Sequence, residues 1–184
     1  MKKITTFLLI IFSAYRAHAQ IEVYDRYTPD NKLDIDINIL SEKELSDEFK
    51  LTFFTLIETQ WAQGLIGIAY TPVEWVTFEI SGGVEYHPAL YRLGGKISFV
   101  KDKLSLVTIG EKGDGHHNYF YKSTFIYAFS EKFKLGARIW RDHGIGPVGM
   151  YTIVKKSGLD VWLMPSYDFE YDTGRLIFGV SVKI

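Results

Sequence analysis

Arg175-Leu176-Ile177-Phe178-Gly179-Val180-Ser181-Val182-Lys183-Ile184 (RLIFGVSVKI) decides the fold class. Leu176, Phe178, Val180, Val182 and Ile184 alternate with Arg175, Ile177, Gly179, Ser181 and Lys183. Successive side chains of a strand point to opposite faces, so this stretch presents one large apolar face and one face that carries charge. The period is two, the signature of a strand with one face in an apolar medium.

The same unit recurs backwards along the chain as far as Asp47. Segment 158–170 sets Leu159, Val161, Leu163, Tyr167 and Phe169 against Asp160, Trp162, Met164, Ser166, Asp168 and Glu170. Segments 132–141, 90–100, 74–82 and 47–60 repeat the pattern, with Phe133/Leu135/Ile139, Leu93/Ile97/Phe99, Val76/Phe78/Ile80 and Leu51/Phe53/Ile57 on their apolar faces. Segments 63–71, 103–110, 117–129 and 146–155 are strand-like with mixed faces. The expectation is an all-β, antiparallel, up-and-down barrel of about ten strands, within a range of eight to twelve.

Polar turns (Thr71–Glu74, Val100–Lys103, Ser130–Lys132, Lys155–Gly158) alternate with mostly longer connections rich in Gly and His: 81–89, 110–118 and 141–147. Short turns at one end and longer loops at the other are the organisation of a transmembrane barrel. A soluble barrel or sandwich shows the same alternation but puts its charges outside and its apolar residues in a small core. Here several strands each present four or five large apolar residues, too many for such a core. Tyr70, Trp75, Tyr86, Tyr91, Tyr119, Tyr121, Phe129, Phe133, Tyr167 and Phe169 cluster near segment ends, where aromatic girdles meet the two membrane interfaces.

Composition agrees. The chain has 184 residues, 47% hydrophobic and 23% charged, with 12 Tyr, 13 Phe and 4 Trp. Its mean hydropathy of -0.01 argues against a bundle of membrane helices. A net charge of -1 gives no reason to expect nucleic acid as a partner. The absence of cysteine excludes disulfides, thiolate metal sites and a cysteine nucleophile.

On this pattern the chain resembles the small outer-membrane β-barrel proteins of Gram-negative bacteria. The resemblance covers residues 47–184 and the leader, and implies a location in the bacterial outer membrane among its lipids. One departure is the ending Ser181-Val182-Lys183-Ile184, where such barrels usually close on an aromatic residue. The leader itself is read from residues: Met1-Lys2-Lys3, an apolar run from Ile4 to Ala14, then Ala17-His18-Ala19. This is a secretory signal over residues 1–19, cut before Gln20. The run is too short to span ~30 Å of hydrocarbon as a helix. A Gln after the cut resembles exported proteins of the Bacteroidota. Residues 20–46 are expected to form a periplasmic N-terminal extension. Within it, Leu33/Ile35/Ile37/Ile39 alternate as an extra strand could, and Ser41 to Glu44 has capping-box spacing for a short helix near 42–48.

If the apolar faces meet lipid, the lumen receives Glu48, Glu58, Glu79, Arg92, Lys96, Lys122, Arg138, Asp160, Asp168 and Arg175, with Lys50, Lys134, Glu170 and Lys183. Opposite charges in so small a lumen are expected to pair across it, because an unpaired buried charge is costly. The mature histidines His87, His116, His117 and His143 all fall in the expected outer loops. Asp142-His143, with Glu111 and Asp114 on another loop, is the candidate for an outer-rim acid–base site. No Gly-x-Ser-x-Gly nucleophile accompanies it. No metal site or cofactor is expected; in particular, His116 and His117 would point to opposite faces of a strand. The leading expectation is a non-catalytic barrel, a structural or accessory subunit or a surface-loop binder. It would meet other outer-membrane or periplasmic proteins through residues 20–46 and the outer loops. The alternatives are an outer-membrane lipid or peptide hydrolase and a narrow solute channel.

Overall fold

The computed structural model describes residues 18–27, 33–58, 61–86, 90–114 and 118–184. Among them are twelve strands: β1 (His18–Tyr27), β2 (Leu33–Glu44), β3 (Phe49–Ile57), β4 (Ala62–Val73), β5 (Val76–Tyr86), β6 (Tyr91–Lys101), β7 (Leu104–Gly113), β8 (Tyr119–Ala128), β9 (Phe133–Trp140), β10 (Gly144–Val154), β11 (Leu159–Asp168) and β12 (Thr173–Lys183). Each pairs antiparallel with its sequence neighbours. β1 also pairs with β12, from Gln20↔Lys183 to Tyr27↔Leu176, which closes the sheet. Closure leaves no strand edge with unpaired backbone groups, the condition for crossing hydrocarbon.

The count is therefore twelve and not about ten. The two further strands come from the segment expected to be an extension: β1 and β2 carry residues 18–27 and 33–44 into the wall. Their register sets Ile21 against Ile39 and Val23 against Ile37 on the outer face. The helix expected near 42–48 is also absent, because β2 runs to Glu44 and a bend follows over residues 45–48. Pairing of Ser41 to Glu44 with Phe53 to Lys50 on β3 outweighs the local capping preference.

Outward side chains are apolar. Ile66, Ile68, Ile80, Leu93, Ile97, Phe125, Leu135, Leu163, Phe178 and Val180 are exposed. Rings gather towards both rims: Phe49 stacks on Tyr70 and Phe129 lies beside Phe133 near one end, while Tyr119/Tyr121 and Tyr167/Phe169 pair near the other. All ten rings singled out from the sequence are exposed. Below, the end holding Gln20, Lys183 and the turns at 102–103 and 155–158 is the terminus end. The end holding the connections at 141–143 and 169–172 is the loop end. Loop-end connections are shorter than expected, since β5 and β7 run through Ser81-Gly82-Gly83 and Gly110 to Gly113. Glycines carry no side chain to alternate, so strand continues there without the periodic signal. Asp102, Asp142 and Asp172 take positive φ (53°, 61° and 49°) in the turns, a conformation that Asp tolerates better than branched residues.

Candidate functional site in the barrel lumen

The inward faces carry the polar residues, and register decides which of them meet. Glu79 and Lys96 are direct cross-strand partners on β5 and β6, and their charged atoms are 2.5 Å apart. Thr52 on β3 donates to Glu79 at 3.0 Å across β4, which faces them with Gly67. A Cβ there would come within 2.7 Å of the Thr52 hydroxyl, so Gly67 makes the contact possible. Lys134 on β9 lies 3.5 Å from Asp160 on β11, and Lys50 on β3 lies 3.3 Å from Glu42 on β2.

At the loop end the packing is tighter. Arg92, the second residue of β6, donates from Nη1 to Glu85 at 2.6 Å and to the side-chain oxygen of Asn118 at 2.8 Å, and from Nε to Glu111 at 2.7 Å. The Asn118 amide also donates to Glu85. The Trp61 ring lies 5.0 Å from the Arg92 guanidinium. Gly113 leaves room for this knot, since a side chain there would collide with Asn118 and Glu85. On the opposite wall Arg175 is 3.0 Å from Asp168, and both Arg26 and Arg175 donate to the Asp142 carbonyl, which pulls the 141–143 turn inward.

Ion-pair exposure follows position along the axis. Arg92, Glu85, Glu111, Arg175 and Asp168 expose between 0% and 8% of their side chains, and Glu79 and Lys96 expose 9% and 19%. Lys50 and Glu42 expose 37% and 30%, and Lys134 and Asp160 30% and 12%; the Arg141–Asp142 pair of the loop-end turn, at 15% and 42%, departs from the trend. The lumen ion pairs are thus buried at the loop end and more exposed to solvent towards the terminus end.

From the loop-end turn at Trp140 towards Trp162 runs a cation–aromatic cluster. Tyr24 from β1 reaches across the lumen to within 5.0 Å of Trp140 on β9 and 6.0 Å of Trp162 on β11, ring centre to ring centre. Val148, Met164 and Ile177 pack with them. The Arg138 guanidinium lies 4.7 Å from the Trp162 ring and 5.5 Å from the Trp140 ring, and its Nε donates to Thr124 at 3.0 Å. The Lys122 ammonium lies 4.0 Å from the Trp140 ring. Trp162 fits because β12 faces it with Gly179, where a Cβ would come within 2.6 Å of the indole.

The residues named from the sequence divide accordingly. Glu79, Arg92, Lys96, Asp160, Asp168 and Arg175 lie in ion pairs, Lys122 and Arg138 on rings, and Glu58 half-buried beyond β3. Glu48 is exposed at the bend before β3, outside the lumen. Read from sequence, Glu85 and Glu111 fall in loops, and Glu22, Tyr24 and Asp36 in the extension. Continuing the alternation through 20–27 and 33–40 is the signal that finds the last three.

Asp142 and His143 lie in the β9–β10 turn without forming a dyad. The His143 ring stacks on Trp140 at 3.8 Å and 4°, with Nδ1 3.0 Å from the Arg141 carbonyl, while the Asp142 carboxylate is 3.8 Å from Arg141. Burial holds the His143 pKa well below the usual imidazole value, so the ring is neutral. His87, His116 and His117 lie outside the described residues. Among the described residues no group of three His, Asp or Glu side chains is placed to hold a metal.

No family model and no curated protein matches the chain. Among solved structures it is similar to the NanC porin in its rhombohedral crystal form, with a TM-score of 0.53 at 8% identity over 88% of this chain and 98% of that one. It also aligns with a mutant form of the Rh. blastica porin, with a TM-score of 0.41 at 8% identity over 91% of this chain and 99% of that one. What the chain shares with the NanC porin is the fold. It is a porin-like, closed, antiparallel barrel of the kind found in bacterial outer membranes.

Proposed function

We propose that the protein is an outer-membrane barrel that passes small polar solutes through a narrow, charge-lined lumen. The carrying observation is the gradient of ion-pair exposure. A uniformly filled interior would bury its charges evenly, whereas these ion pairs are buried at the Arg92 end and more exposed towards the terminus end. Twelve strands lie between the side-chain-filled interior of about eight and the aqueous channel of about 16–18. The porin-like fold is compatible with passage and does not by itself choose it. In this reading residues 1–19 are removed on export, the terminus end faces the periplasm and the Arg92 end faces outward. Residues 20–27 and 33–44 serve as wall, with both strands paired on both sides.

The test is single-channel recording of the purified protein in planar bilayers. Wild type should give a small, stable unitary conductance, and Arg92→Ala, which unties the loop-end constriction, a larger one. A silent wild type together with a silent Arg92→Ala variant would rule out passage and leave the non-catalytic structural barrel.

A further inference from the structure

We propose that Lys122 and Arg138, framed by Tyr24, Trp140 and Trp162, form a binding station in the lumen for a small organic carboxylate. It deepens the conduit reading and depends on that reading only for how the solute arrives.

Lys50, Arg92, Lys96, Lys134 and Arg175 each have a carboxylate within 3.5 Å. Lys122 and Arg138 have none within 4.0 Å among the described residues: their contacts are the two indole rings and the Thr124 hydroxyl. Of the acids on the facing strands, Glu22 accepts from the Asn38 amide at 3.2 Å, and Asp36 has contacts of its own while its buried Oδ1 accepts no hydrogen bond. Arg138 is buried and Lys122 half-buried, and neither has a carboxylate in contact, so two cations side by side with Glu22 and Asp36 acting only at longer range are an expensive arrangement.

A second observation concerns hydrogen bonds. Arg138 Nη1, Trp140 Nε1 and Trp162 Nε1 are buried and donate to nothing, although their residues are only 6%, 2% and 3% exposed. Buried donors are normally satisfied, and a cluster of idle ones around two cations marks a missing acceptor. One guanidinium edge, one ammonium and two indole N–H groups suit the two oxygens of a carboxylate. The Tyr24, Trp140 and Trp162 rings, each 2% or 3% exposed, surround the two cations with apolar side chains. The ligand class is therefore a compact monoanion with its carboxylate on an apolar or ring body.

The test uses the full-length mature protein in detergent. Tryptophan emission is titrated with cyclohexanecarboxylate and, separately, with its uncharged analogue cyclohexanemethanol. The carboxylate should give a saturable change at a concentration about tenfold lower, or less, than the alcohol requires, since charge-assisted hydrogen bonds separate the two. Arg138→Gln and Lys122→Gln should each weaken the carboxylate about tenfold and leave the alcohol unaffected. Arg138→Lys should recover part of the loss. Lys122 is half-buried, so Lys122→Gln keeps the test decisive where Arg138→Gln does not fold. Equal response to the two probes, unchanged affinity in Lys122→Gln, or complete displacement by chloride at matching concentration would each overturn the assignment. The two readings fail separately: binding without conductance removes the conduit, and conductance without binding removes the station.

Discussion

Arg92→Ala tests the loop-end knot most directly. The guanidinium makes three hydrogen bonds of 2.6–2.8 Å, to Glu85, Asn118 and Glu111, and the two carboxylates expose 0% and 5% of their side chains. Truncation leaves both acids buried with no cation between them, and removing one partner of a buried ion pair costs about 3–5 kcal/mol. That is a large share of a total stability of about 5–15 kcal/mol. Arg92→Lys keeps the charge but loses the fork that reaches three acceptors, and should cost about 1.5–3 kcal/mol. The triple variant Arg92→Ala/Glu85→Gln/Glu111→Gln removes the stranded charges and should recover most of the loss. The assay is denaturant unfolding of the vesicle-reconstituted barrel, followed by tryptophan fluorescence and checked for reversibility. If Arg92→Ala unfolds within about 1 kcal/mol of wild type, the knot is hydrated and the closure argument fails. A triple variant weaker than Arg92→Ala would show that the Arg92 cavity, rather than stranded charge, sets the cost.

Four further outcomes follow from the same geometry. Gly179→Ala drives a Cβ to 2.6 Å from the Trp162 indole and should cost about 1–3 kcal/mol of overpacking in the same unfolding assay, with Trp162→Phe relieving part of it. Folding lowers the His143 pKa below the unfolded value of about 6.5, so a proton favours the unfolded chain; the stability it contributes is intact above pH ~6.5 and declines below, and His143→Phe should flatten that slope while keeping the ring stack. At the other extreme, the exposed Glu131–Lys155 pair at 2.7 Å lowers the Glu131 pKa through its hydrogen bond and charge. Glu131→Gln should nevertheless leave the denaturation midpoint unchanged at both low and high salt. N-terminal sequencing of exported protein should begin at Gln20; a start upstream would keep the reciprocal Ala19–Ile184 backbone bonds of 3.1 and 2.7 Å and would refute the assigned cut.

How far the wall is legible depends on what each segment shows on its outer face. Segment 132–141 against Phe133–Trp140, and 175–184 against Thr173–Lys183, differ by a residue or two, because large apolar residues at every second position leave only one face for lipid. β1 is hard to read because its outer face runs Ile21, Val23, Asp25, Tyr27: a charge interrupts the apolar row two residues before the strand ends. It also begins at His18, inside the stretch that reads as leader. β2 shows its alternation openly at Ile35, Ile37 and Ile39, but Ser41 to Glu44 mimics a helix start. A closed barrel resolves both ambiguities at once, since without β1 and β2 the edges of β3 and β12 would stand unpaired in hydrocarbon.

The lumen is less legible for a different reason: alternation assigns a residue to a face but not to a partner. Glu79–Lys96 follows from the β5–β6 register alone, because the two are directly opposed. Arg92 meets Glu85 and Glu111 diagonally, and Thr52 reaches Glu79 over β4 through the space that Gly67 leaves open. Counting acids and bases on the inward face therefore predicts that they pair, and leaves open which ones do not. The exceptions, Lys122 and Arg138, are settled by neighbours of another kind. Their strands face them with Trp140, Trp162 and Tyr24, rings that hold a cation by its quadrupole without neutralising it. A site of that kind emerges only when the register has spent the carboxylates elsewhere.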